Sequence, residues 1–239
     1  MGLPDLRPDA EALLLDFDGT LVEIAPRPDA ITVPDGLPAM LDALHARFSG
    51  ALALISGRAV DDIRRYLPDF PGTIVGSHGA ERAGPGLPPQ PLGEFEGLEE
   101  LTAAVRGYAE ARPALLAELK THSVVLHFRA APELGPEVER FMGELADRHP
   151  DFALQQAKMA WELRPRTADK GSAVRALMQA DPFMGRFPVY IGDDTTDEAA
   201  MDVAQRLGGV GIKIGQGSSV ARHRLPDPEA LLCWLERAM

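Results

Sequence analysis

The sequence lacks the features that would tie a chain to disulfides, membranes or nucleic acids. Its single cysteine, Cys233, excludes an internal disulfide and a cysteine-cluster metal site, and the setting EALLCWLERA predicts a core position in a helix. No run approaches the roughly 18 apolar residues of a membrane-spanning helix, and the initial MGLPDLRPDAEA lacks the basic and apolar regions of a signal peptide. The net charge of −12 argues against general nucleic-acid binding. We therefore expect a soluble, cytoplasmic protein that binds neither membrane nor nucleic acid. We also expect a monomer, although these features do not determine the oligomeric state.

Strand-length apolar runs alternate with helix-period segments along much of the chain. The apolar runs are EALLLDF, ALALIS, TIVGS, FPVYIG and GVGIKIG. The helix-period segments have apolar residues at i, i+3 and i+4, and they are GLPAMLDALHARF, RAVDDIRRYL, KGSAVRALMQA, DEAAMDVAQRLG and DPEALLCWLERA. This alternation predicts an α/β fold with an open, doubly wound parallel sheet.

The middle of the chain breaks the alternation. After the Gly- and Pro-rich AGPGLPPQPLGEF, the pattern is helical in LEELTAAVRGYAEARPALLAEL, extended in HSVVLHFRA, helical in PEVERFMGELADRH, and typical of a strand pair in FALQQ and KMAWELRP. This order predicts an α+β insert of about 80 residues, enough for a small second domain. We place the insert at residues 84–164 and the parallel-sheet core at residues 1–83 and 165–239.

Two aspartates directly follow the first apolar run, in LLLDFDGTLVEI. Ligands of a parallel sheet bind outside the carboxyl ends of its strands, where Asp16 and Asp18 are expected. If the chain stays extended, both side chains point to the same side, and Gly19 allows a tight turn and the close approach of a ligand. Paired carboxylates are costly without a cation, and hard oxygen ligands favour Mg²⁺. A solvated acidic turn is the alternative explanation of this short motif.

A second acidic group follows another apolar run, in YIGDDTTDEAAM. Asp193 and Asp194 come straight after the strand, whereas Asp197 and Glu198 fall at the start of the next helix. The helix dipole favours acids at that position, which by itself explains Asp197 and Glu198. It does not explain the doubled aspartate.

Two further element ends carry groups suited to an anion. In ISGRAVDD, Ser56 and the residues after it offer a hydroxyl and free backbone N–H groups, although Ser56 could equally be the N-cap of a helix. In TADKGSAV, Lys170 stands at a helix start, where a cation is unfavourable unless it faces an anion. Together the four motifs supply carboxylates, a hydroxyl and a lysine.

In chain order, DFDGT, ISG, the lysine of DKG and GDDTTDE resemble the four motifs of the haloacid dehalogenase-like (HAD) phosphohydrolases. Within that superfamily, DFDGTLVEIAPRPDAITVP, GSHGAE, LHFR and KMAWELRP followed by DKG look like the trehalose-6-phosphate phosphatases. The resemblance spans almost the whole chain. It implies a HAD-like Rossmannoid core with an inserted C2-type cap, and the Mg²⁺-dependent hydrolysis of trehalose 6-phosphate.

The resemblance also assigns catalytic roles. Asp16 would be the nucleophile that forms an aspartyl phosphate. Asp18 would protonate the departing sugar oxygen and then activate water. Ser56 and Lys170 would hold the transferring phosphoryl oxygens, where charge stabilisation does most of the catalytic work.

The resemblance implies a metal site formed by the same acids. Mg²⁺ would be bound by Asp16, by the backbone carbonyl of Asp18 and by Asp193. Asp194 or Asp197 would hold these ligands in place. General availability and hard oxygen ligation are the only grounds on which the sequence favours Mg²⁺ over Mn²⁺.

Substrate contacts are expected in both domains. Gly57 and Arg58 would contact the substrate from the core, and the resemblance assigns Arg129, Lys158 and Glu162 of the insert to the sugar. The alternative for the insert residues is an ordinary solvent-facing set on alternating strands.

Ala157 and His78 are two further positions that bear on the expected substrate contacts. The family usually has Gly before the lysine of KMAWELRP, whereas this chain has Ala157, which could alter the turn and the sugar contacts. His78, in GSHGAE, could face the cleft, although a structural histidine is the preferred interpretation.

Two other functions fit parts of the same sequence. One is a phosphatase of the same fold for another sugar phosphate, such as a sucrose or glucosylglycerate phosphate. The other is a non-hydrolysing module, either a receiver-like domain phosphorylated on Asp16 or a sugar-phosphate sensor. The predicted cap and the acid/base Asp18 argue against the receiver, and a sensor would be expected to have lost a catalytic group.

Overall fold

A computed structural model describes residues 3–25, 30–92, 95–120, 122–157 and 159–239. The chain forms two compact units, Met1–Leu92 with Asp169–Met239, and Gly93–Ala168. The sequence places residues 84–92 in the insert. In the structure they lie in the first unit, because strand β5 (Gln90–Pro91) pairs with strand β4 (Glu81–Ala83). Strands and helices are numbered along the whole chain.

The first unit is built on an eight-stranded sheet in the order β12-β11-β10-β1-β2-β3-β4-β5. Its remaining strands are β1 (Glu11–Leu15), β2 (Leu52–Ile55), β3 (Thr73–Gly76), β10 (Phe187–Gly192), β11 (Val210–Ile214) and β12 (His223–Leu225). All neighbours from β12 to β3 pair in parallel. The five predicted parallel strands are therefore confirmed, and β12 is an additional one.

Among the residues that the structure describes, five α-helices accompany this sheet. They are α1 (Leu37–Arg47), α2 (Val60–Tyr66), α5 (Lys170–Leu177), α6 (Glu198–Arg206) and α7 (Pro228–Leu235). The prediction for Cys233 is wrong. The buried stripe of α7 runs through Leu231, Trp234 and Leu235, at i, i+3 and i+4, which leaves Cys233 exposed on another side of the helix. No helix among the described residues is long and apolar enough to cross a membrane.

The central strand β1 explains where the site lies. All five of its residues are buried, since it is paired with β10 on one side and β2 on the other. Leu15 is in register with Ile191 of β10, so the polar residues that follow the two strands emerge side by side.

The second unit is a four-stranded antiparallel sheet, in the order β6-β7-β9-β8, with two helices packed on it. Its elements are α3 (Leu98–Glu110), β6 (Leu116–Leu119), β7 (Val124–His127), α4 (Gly135–Arg148), β8 (Phe152–Ala157) and β9 (Ala160–Pro165). It has its own apolar core, which includes Leu101, Val138, Met142 and Leu163. The predicted α+β composition of this region is therefore observed.

One helix of the second unit is shorter than the sequence indicates. The helical pattern extends from Leu98 to Leu119, but α3 ends at Glu110 and Leu116–Leu119 forms β6, paired with β7. Pro113 explains the break, because proline in a helix interior removes a hydrogen bond and disfavours helical geometry at the preceding residue.

Candidate active site

A cleft of about 730 Å³ opens in the first unit at the carboxyl ends of β1, β2 and β10. It brings together most of the residues that the sequence proposes for that unit. These are Asp16, Asp18, Ser56, Gly57, Arg58, Lys170, Asp193 and Asp194. Asp197 lies buried beneath the cleft surface, in contact with Lys170.

Asp16 lies at the base of this cleft and is almost fully buried. Its backbone N–H donates to the Ile191 carbonyl at 2.9 Å, so the residue continues the pairing of β1 with β10. Its carboxylate accepts hydrogen bonds from Lys170 Nζ at 2.7 Å and from Thr20 Oγ1 at 3.3 Å. Burial raises the pKa of Asp16 to about 8, against the opposing charge of Lys170 and with a further increase from Asp197. A positive partner is therefore needed to keep Asp16 ionised at neutral pH.

Lys170 is the first residue of α5 and is buried. The helix start is fixed by a capping box, in which the Asp169 carboxylate accepts from the Ser172 N–H at 2.8 Å. Lys170 Nζ lies 2.7 Å from Asp16 Oδ1 and 2.7 Å from Asp197 Oδ1. Burial opposes the charge, but the two carboxylates outweigh it and raise the pKa of Lys170. The lysine is therefore a charged ammonium that faces anions.

Asp197 is fully buried and accepts four hydrogen bonds. Its Oδ2 accepts from the backbone N–H groups of Asp193 and Asp194, at 3.0 and 2.9 Å. Its Oδ1 accepts from Lys170 Nζ at 2.7 Å and from the Tyr190 hydroxyl at 2.6 Å. The helix dipole alone is therefore an insufficient explanation of Asp197, which links the Asp193–Asp194 turn to the lysine.

Two residues of this network are absent from the sequence-based proposal. Tyr190, in β10, donates to Asp197, and Lys213, in β11, donates to the main-chain carbonyl of Asp193. Both are buried. The sequence contains one signal for each residue, a polar side chain inside an apolar strand: the tyrosine of FPVYIG and the lysine of GVGIKIG. Such a side chain needs a polar partner when it is buried.

Three carboxylates converge closely enough to hold a metal ion. Oxygens of Asp16, Asp193 and Asp197 all lie within 4.8 Å of one another. Burial, and then the charge of Asp197, raises the pKa of Asp193 as well. These three carboxylates outnumber the two lysine side chains, Lys170 and Lys213, that bond to the cluster, so a divalent cation fits this donor set. Both Asp197 oxygens already accept two hydrogen bonds, which makes Asp16 and Asp193 the better placed ligands.

Gly19 has a structural role that the sequence only partly anticipates. Its φ of +73° lies in the left-handed region, as the predicted tight turn requires. A Cβ at this position would collide with the carboxylate of Asp193. The close approach that glycine allows is therefore that of the metal-binding candidate Asp193.

Asp18 is half-buried and forms a two-point ion pair with Arg58. Arg58 Nε lies 2.6 Å from Asp18 Oδ2, and its terminal nitrogen lies 2.7 Å from Oδ1. The guanidinium carbon also lies 5.4 Å from the ring centre of Tyr66. The hydrogen bond to Asp18 is the main cause that raises the pKa of Arg58. Arg58 therefore holds the Asp18 carboxylate in a defined orientation at the cleft.

Ser56 follows β2 and is buried, with its Oγ accepting from the Arg58 N–H at 3.2 Å. Helix α2 begins at Val60, and Ala59 is its N-cap residue. The alternative of Ser56 as the helix N-cap is therefore wrong.

His78 lines the same cleft, so the preferred interpretation as a purely structural histidine is incomplete. Its φ is +58° and that of Ser77 is +53°, which are strained values for non-glycine residues. A Cβ on Gly57 would lie 2.6 Å from His78 Cε1, so glycine at position 57 makes room for the ring.

Asp194 lines the cleft but is exposed. Its Oδ1 accepts from the Thr195 N–H at 2.6 Å and so caps the short turn Thr195–Asp197. Of the two acids expected to support the metal ligands, Asp197 therefore has the direct bonds to Asp193.

The remaining proposed residues belong to the second unit. Arg129 is exposed in the turn after β7, which agrees with the solvent-facing alternative. Glu162, in β9, accepts from Ser123 Oγ at 2.7 Å and from Lys120 Nζ at 3.1 Å, so it is not a simple solvent-facing residue. Burial opposes the ionisation of Glu162, but these two donors outweigh it and lower its pKa. Lys158 lies outside the described residues.

Comparison with known proteins identifies the family of this chain. A family model described as trehalose-phosphatase matches residues 14–227. A Sinorhizobium fredii protein named "Probable trehalose-phosphate phosphatase" is 41% identical over 226 residues, which span 93% of this chain and 85% of the relative. "Trehalose-6-phosphate phosphatase" of Escherichia coli is 36% identical over 226 residues, which span 94% of this chain and 85% of the relative.

The same fold is found in a solved structure whose sequence is only distantly similar to this chain. A haloacid dehalogenase-like hydrolase from Bacteroides thetaiotaomicron aligns with a TM-score of 0.69 at 15% identity, over 96% of this chain and 100% of that chain. The predicted HAD-like α/β fold is therefore confirmed.

Proposed function

Since the chain belongs to the trehalose-phosphatase family, we propose that it hydrolyses trehalose 6-phosphate to trehalose and phosphate, a step in trehalose biosynthesis. The observation that carries this proposal is the buried Asp16, bonded to the Lys170 ammonium at the base of a cleft that also holds Asp18. The cleft thus contains a nucleophile, Asp16, and a proton carrier, Asp18, after the central strand β1, together with the positive side chain of Lys170.

In the first step, an Asp16 oxygen attacks phosphorus and the bond from phosphorus to the sugar oxygen breaks. Asp18 gives its proton to the departing sugar oxygen. In the second step, Asp18 takes a proton from water, which attacks phosphorus and releases Asp16 with inorganic phosphate. Arg58 keeps Asp18 oriented toward the cleft, and the two-point pair must loosen when Asp18 carries its proton.

The phosphoryl oxygens are held by groups that offer donors to an anion. Ser56 supplies a hydroxyl, Gly57 permits a close backbone approach, and Lys170 supplies an ammonium. Lys170 already bonds the nucleophile at 2.7 Å, so it can stabilise both the ionised Asp16 and the charge that develops on the phosphoryl group.

A divalent metal ion fits the acid cluster, and we propose that it is Mg²⁺. Asp16, Asp193 and the main-chain carbonyl of Asp18 would hold it. Hard carboxylate oxygens support this choice. When bound, the ion would supply positive charge that keeps the buried carboxylates ionised and admits an anionic substrate.

We assign sugar recognition to the second unit, through Arg129, Lys158 and Glu162. Burial opposes the ionisation of Glu162, but its bonds to Ser123 and Lys120 outweigh burial and lower its pKa. Glu162 is therefore an ionised acceptor for hydroxyl groups. The presence of Asp16, Asp18 and Lys170 in one cleft disfavours a silent sensor. The monomeric state and the cytoplasmic location stay predictions.

The test is the release of phosphate from trehalose 6-phosphate, in Mg²⁺ and in EDTA, by wild type, Asp16→Asn and the control Asp42→Asn. Asp42 is an exposed carboxylate on α1, outside the cleft. We expect hydrolysis that requires the metal, persists in Asp42→Asn, and falls at least about a thousandfold in Asp16→Asn. Undiminished activity in Asp16→Asn would contradict the proposed chemistry.

A further inference from the structure

We infer that the Tyr190 hydroxyl is a positioning group for phosphoryl transfer, which acts through Asp197 to hold Lys170 against the nucleophile Asp16. The inference rests on the proposed hydrolytic chemistry and not on the identity of the sugar.

The contacts form one continuous chain of short bonds. The Tyr190 hydroxyl donates to Asp197 Oδ1 at 2.6 Å. The same oxygen accepts from Lys170 Nζ at 2.7 Å, and Lys170 Nζ is 2.7 Å from Asp16 Oδ1. All four residues are buried, so water does not readily replace a lost donor.

The direction in which Lys170 would move follows from how the hydrogen-bond donors are divided between the two oxygens of Asp197. Backbone N–H groups of Asp193 and Asp194 hold Asp197 Oδ2. On Oδ1, the neutral Tyr190 hydroxyl competes with the Lys170 ammonium for the carboxylate charge. Without the hydroxyl, Oδ1 becomes a stronger acceptor for Lys170, which would shift the ammonium toward Asp197 and away from Asp16. The nucleophile and the phosphoryl group would then lose part of their stabilising charge.

The ordinary explanation is that Tyr190 is a core tyrosine whose hydroxyl happens to be satisfied. A pair in the second unit provides a tyrosine–carboxylate bond with no link to the proposed catalytic groups. The Tyr108 hydroxyl donates to Glu137 Oε1 at 2.6 Å, the same length and chemistry as the pair of Tyr190 with Asp197. Glu137 bonds Arg112 and Tyr108 on the surface of that unit and touches no proposed catalytic group. Tyr108→Phe therefore removes a bond of the same length at a half-buried site away from the proposed catalytic groups, where water can replace the lost donor.

The experiment compares Tyr190→Phe with Tyr108→Phe, using p-nitrophenyl phosphate, which has no sugar, and trehalose 6-phosphate. We expect kcat of Tyr190→Phe to fall by about 10- to 100-fold for both esters, because disturbing the group that orients a catalytic residue has effects of this order. KM should stay within about threefold, since the proposed substrate contacts other than that of Lys170 remain. Tyr108→Phe should keep kcat within about twofold of wild type. Urea unfolding of each variant separates loss of function from loss of folded protein.

A second comparison uses the Lys170→Arg background. If Tyr190 acts through Lys170, the fold-loss from Tyr190→Phe shrinks in that background, because residues acting through one partner are not additive. A full multiplicative loss there would overturn the inference. So would an unchanged kcat in folded Tyr190→Phe, or a loss explained entirely by unfolding. Should Tyr190→Phe not fold, 3-fluorotyrosine at position 190 perturbs the same hydroxyl, and a kcat equal to that of wild type would then overturn the inference.

The two esters distinguish this inference from the proposed function. Wild-type activity on p-nitrophenyl phosphate without activity on trehalose 6-phosphate would contradict the proposed substrate, and the ratio of Tyr190→Phe to wild type would still decide the inference. Wild type inactive on both esters would overturn the inference along with the chemistry on which it rests.

Discussion

Asp16 combines two properties that conflict at the level of a single residue. The proposed attack on phosphorus requires Asp16 to be ionised, yet burial raises its pKa to about 8. Lys170 supplies one positive charge, and the remaining acids Asp193 and Asp197 leave room for another. The proposed dependence on a cation would thus follow from the burial of Asp16, because an uncompensated buried carboxylate takes up a proton instead.

The raised pKa of Asp16 predicts how stability varies with pH in the absence of metal. The pKa of Asp16 is about 8 in the folded state and 3.8, the ordinary aspartate value, in the unfolded chain. Between these two pH values the folded state therefore binds one proton more than the unfolded chain. Its contribution to stability is complete below about pH 4 and is lost as pH rises through 8, with a slope of up to about 1.4 kcal/mol per pH unit. Urea unfolding in EDTA should therefore show wild type losing stability relative to Asp16→Asn from pH 5 to pH 8. Parallel stability curves would contradict the assigned pKa.

The proposed nucleophile, acid and lysine could be identified from the sequence because each stands where an apolar run ends or a helix begins. Tyr190 and Lys213 could not, since each lies within an apolar strand and resembles a core residue. Only the register of β10 with β11, and the fold of the Asp193–Asp197 turn, bring their polar atoms to the site. The residues around Asp197 indicate only a helix-terminal acid, and the family resemblance is what adds a role in holding the metal ligands, because its bonds to Tyr190 and Lys170 depend on the fold.

At the scale of elements, the loops after β2 and β3 meet in the cleft. Gly57 follows β2, and His78 lies in the turn after β3, with its backbone N–H bonded to the Ser56 carbonyl at 2.9 Å. The left-handed geometry of Ser77 and His78 is costly and is found mostly at functional sites. The tight packing of the His78 ring on Gly57 therefore helps to shape this side of the cleft.

Gly57→Ala tests that packing. The new Cβ would lie 2.6 Å from His78 Cε1, so the ring must move. We expect kcat/KM for trehalose 6-phosphate to fall by about tenfold, which corresponds to about 1.4 kcal/mol of lost transition-state stabilisation. Gly36→Ala is the control, because a Cβ there meets no atom within 4 Å. Equal kinetics for the two variants would show that the ring position is unimportant.

Helix α3 offers a stability prediction independent of the site. Gly107 is exposed in the interior of this helix, and a Cβ there meets no atom within 4 Å. Gly107→Ala should raise the free energy of unfolding by about 0.5–1 kcal/mol, because glycine is a poor helix former. Differential scanning calorimetry should show a higher melting temperature with kcat unchanged. A lower melting temperature would mean that the helix depends on a bend at Gly107.

The sequence predicts long, strongly patterned elements well and short ones poorly. The five parallel strands are apolar on both faces, so their runs stand out, whereas β4, β5 and β12 are only two or three residues long. The pattern from Leu98 to Leu119 is helical by composition, but Pro113 and the pairing of β6 with β7 override it. Long-range pairing of this kind is not encoded in local periodicity.

At the scale of the whole molecule, the proposed roles place the chemistry in one unit and sugar recognition in the other. Every described residue proposed to act on phosphorus lies in the first unit, and Arg129 and Glu162, proposed for the sugar, lie in the second. Each unit has its own apolar core, and the core of the second contains none of the residues proposed to act on phosphorus.

This division predicts a selective effect for Glu162→Gln. Loss of the ionised acceptor should raise KM for trehalose 6-phosphate by about tenfold or more, because hydrogen bonds to charged groups are strong. Hydrolysis of p-nitrophenyl phosphate should be unchanged. Glu139→Gln, at an exposed position of α4, is the control. An equal loss on both esters would place Glu162 outside sugar recognition.

The central claim is that this chain is a phosphatase selective for trehalose 6-phosphate. The most direct test is kcat/KM of wild type, in Mg²⁺, for trehalose 6-phosphate beside glucose 6-phosphate and sucrose 6-phosphate. The account predicts a preference for the trehalose ester of at least about a hundredfold, since matched hydroxyl contacts discriminate strongly. Equal rates on the three esters, or a preference for another, would contradict it and return attention to Arg129, Ala157 and Glu162.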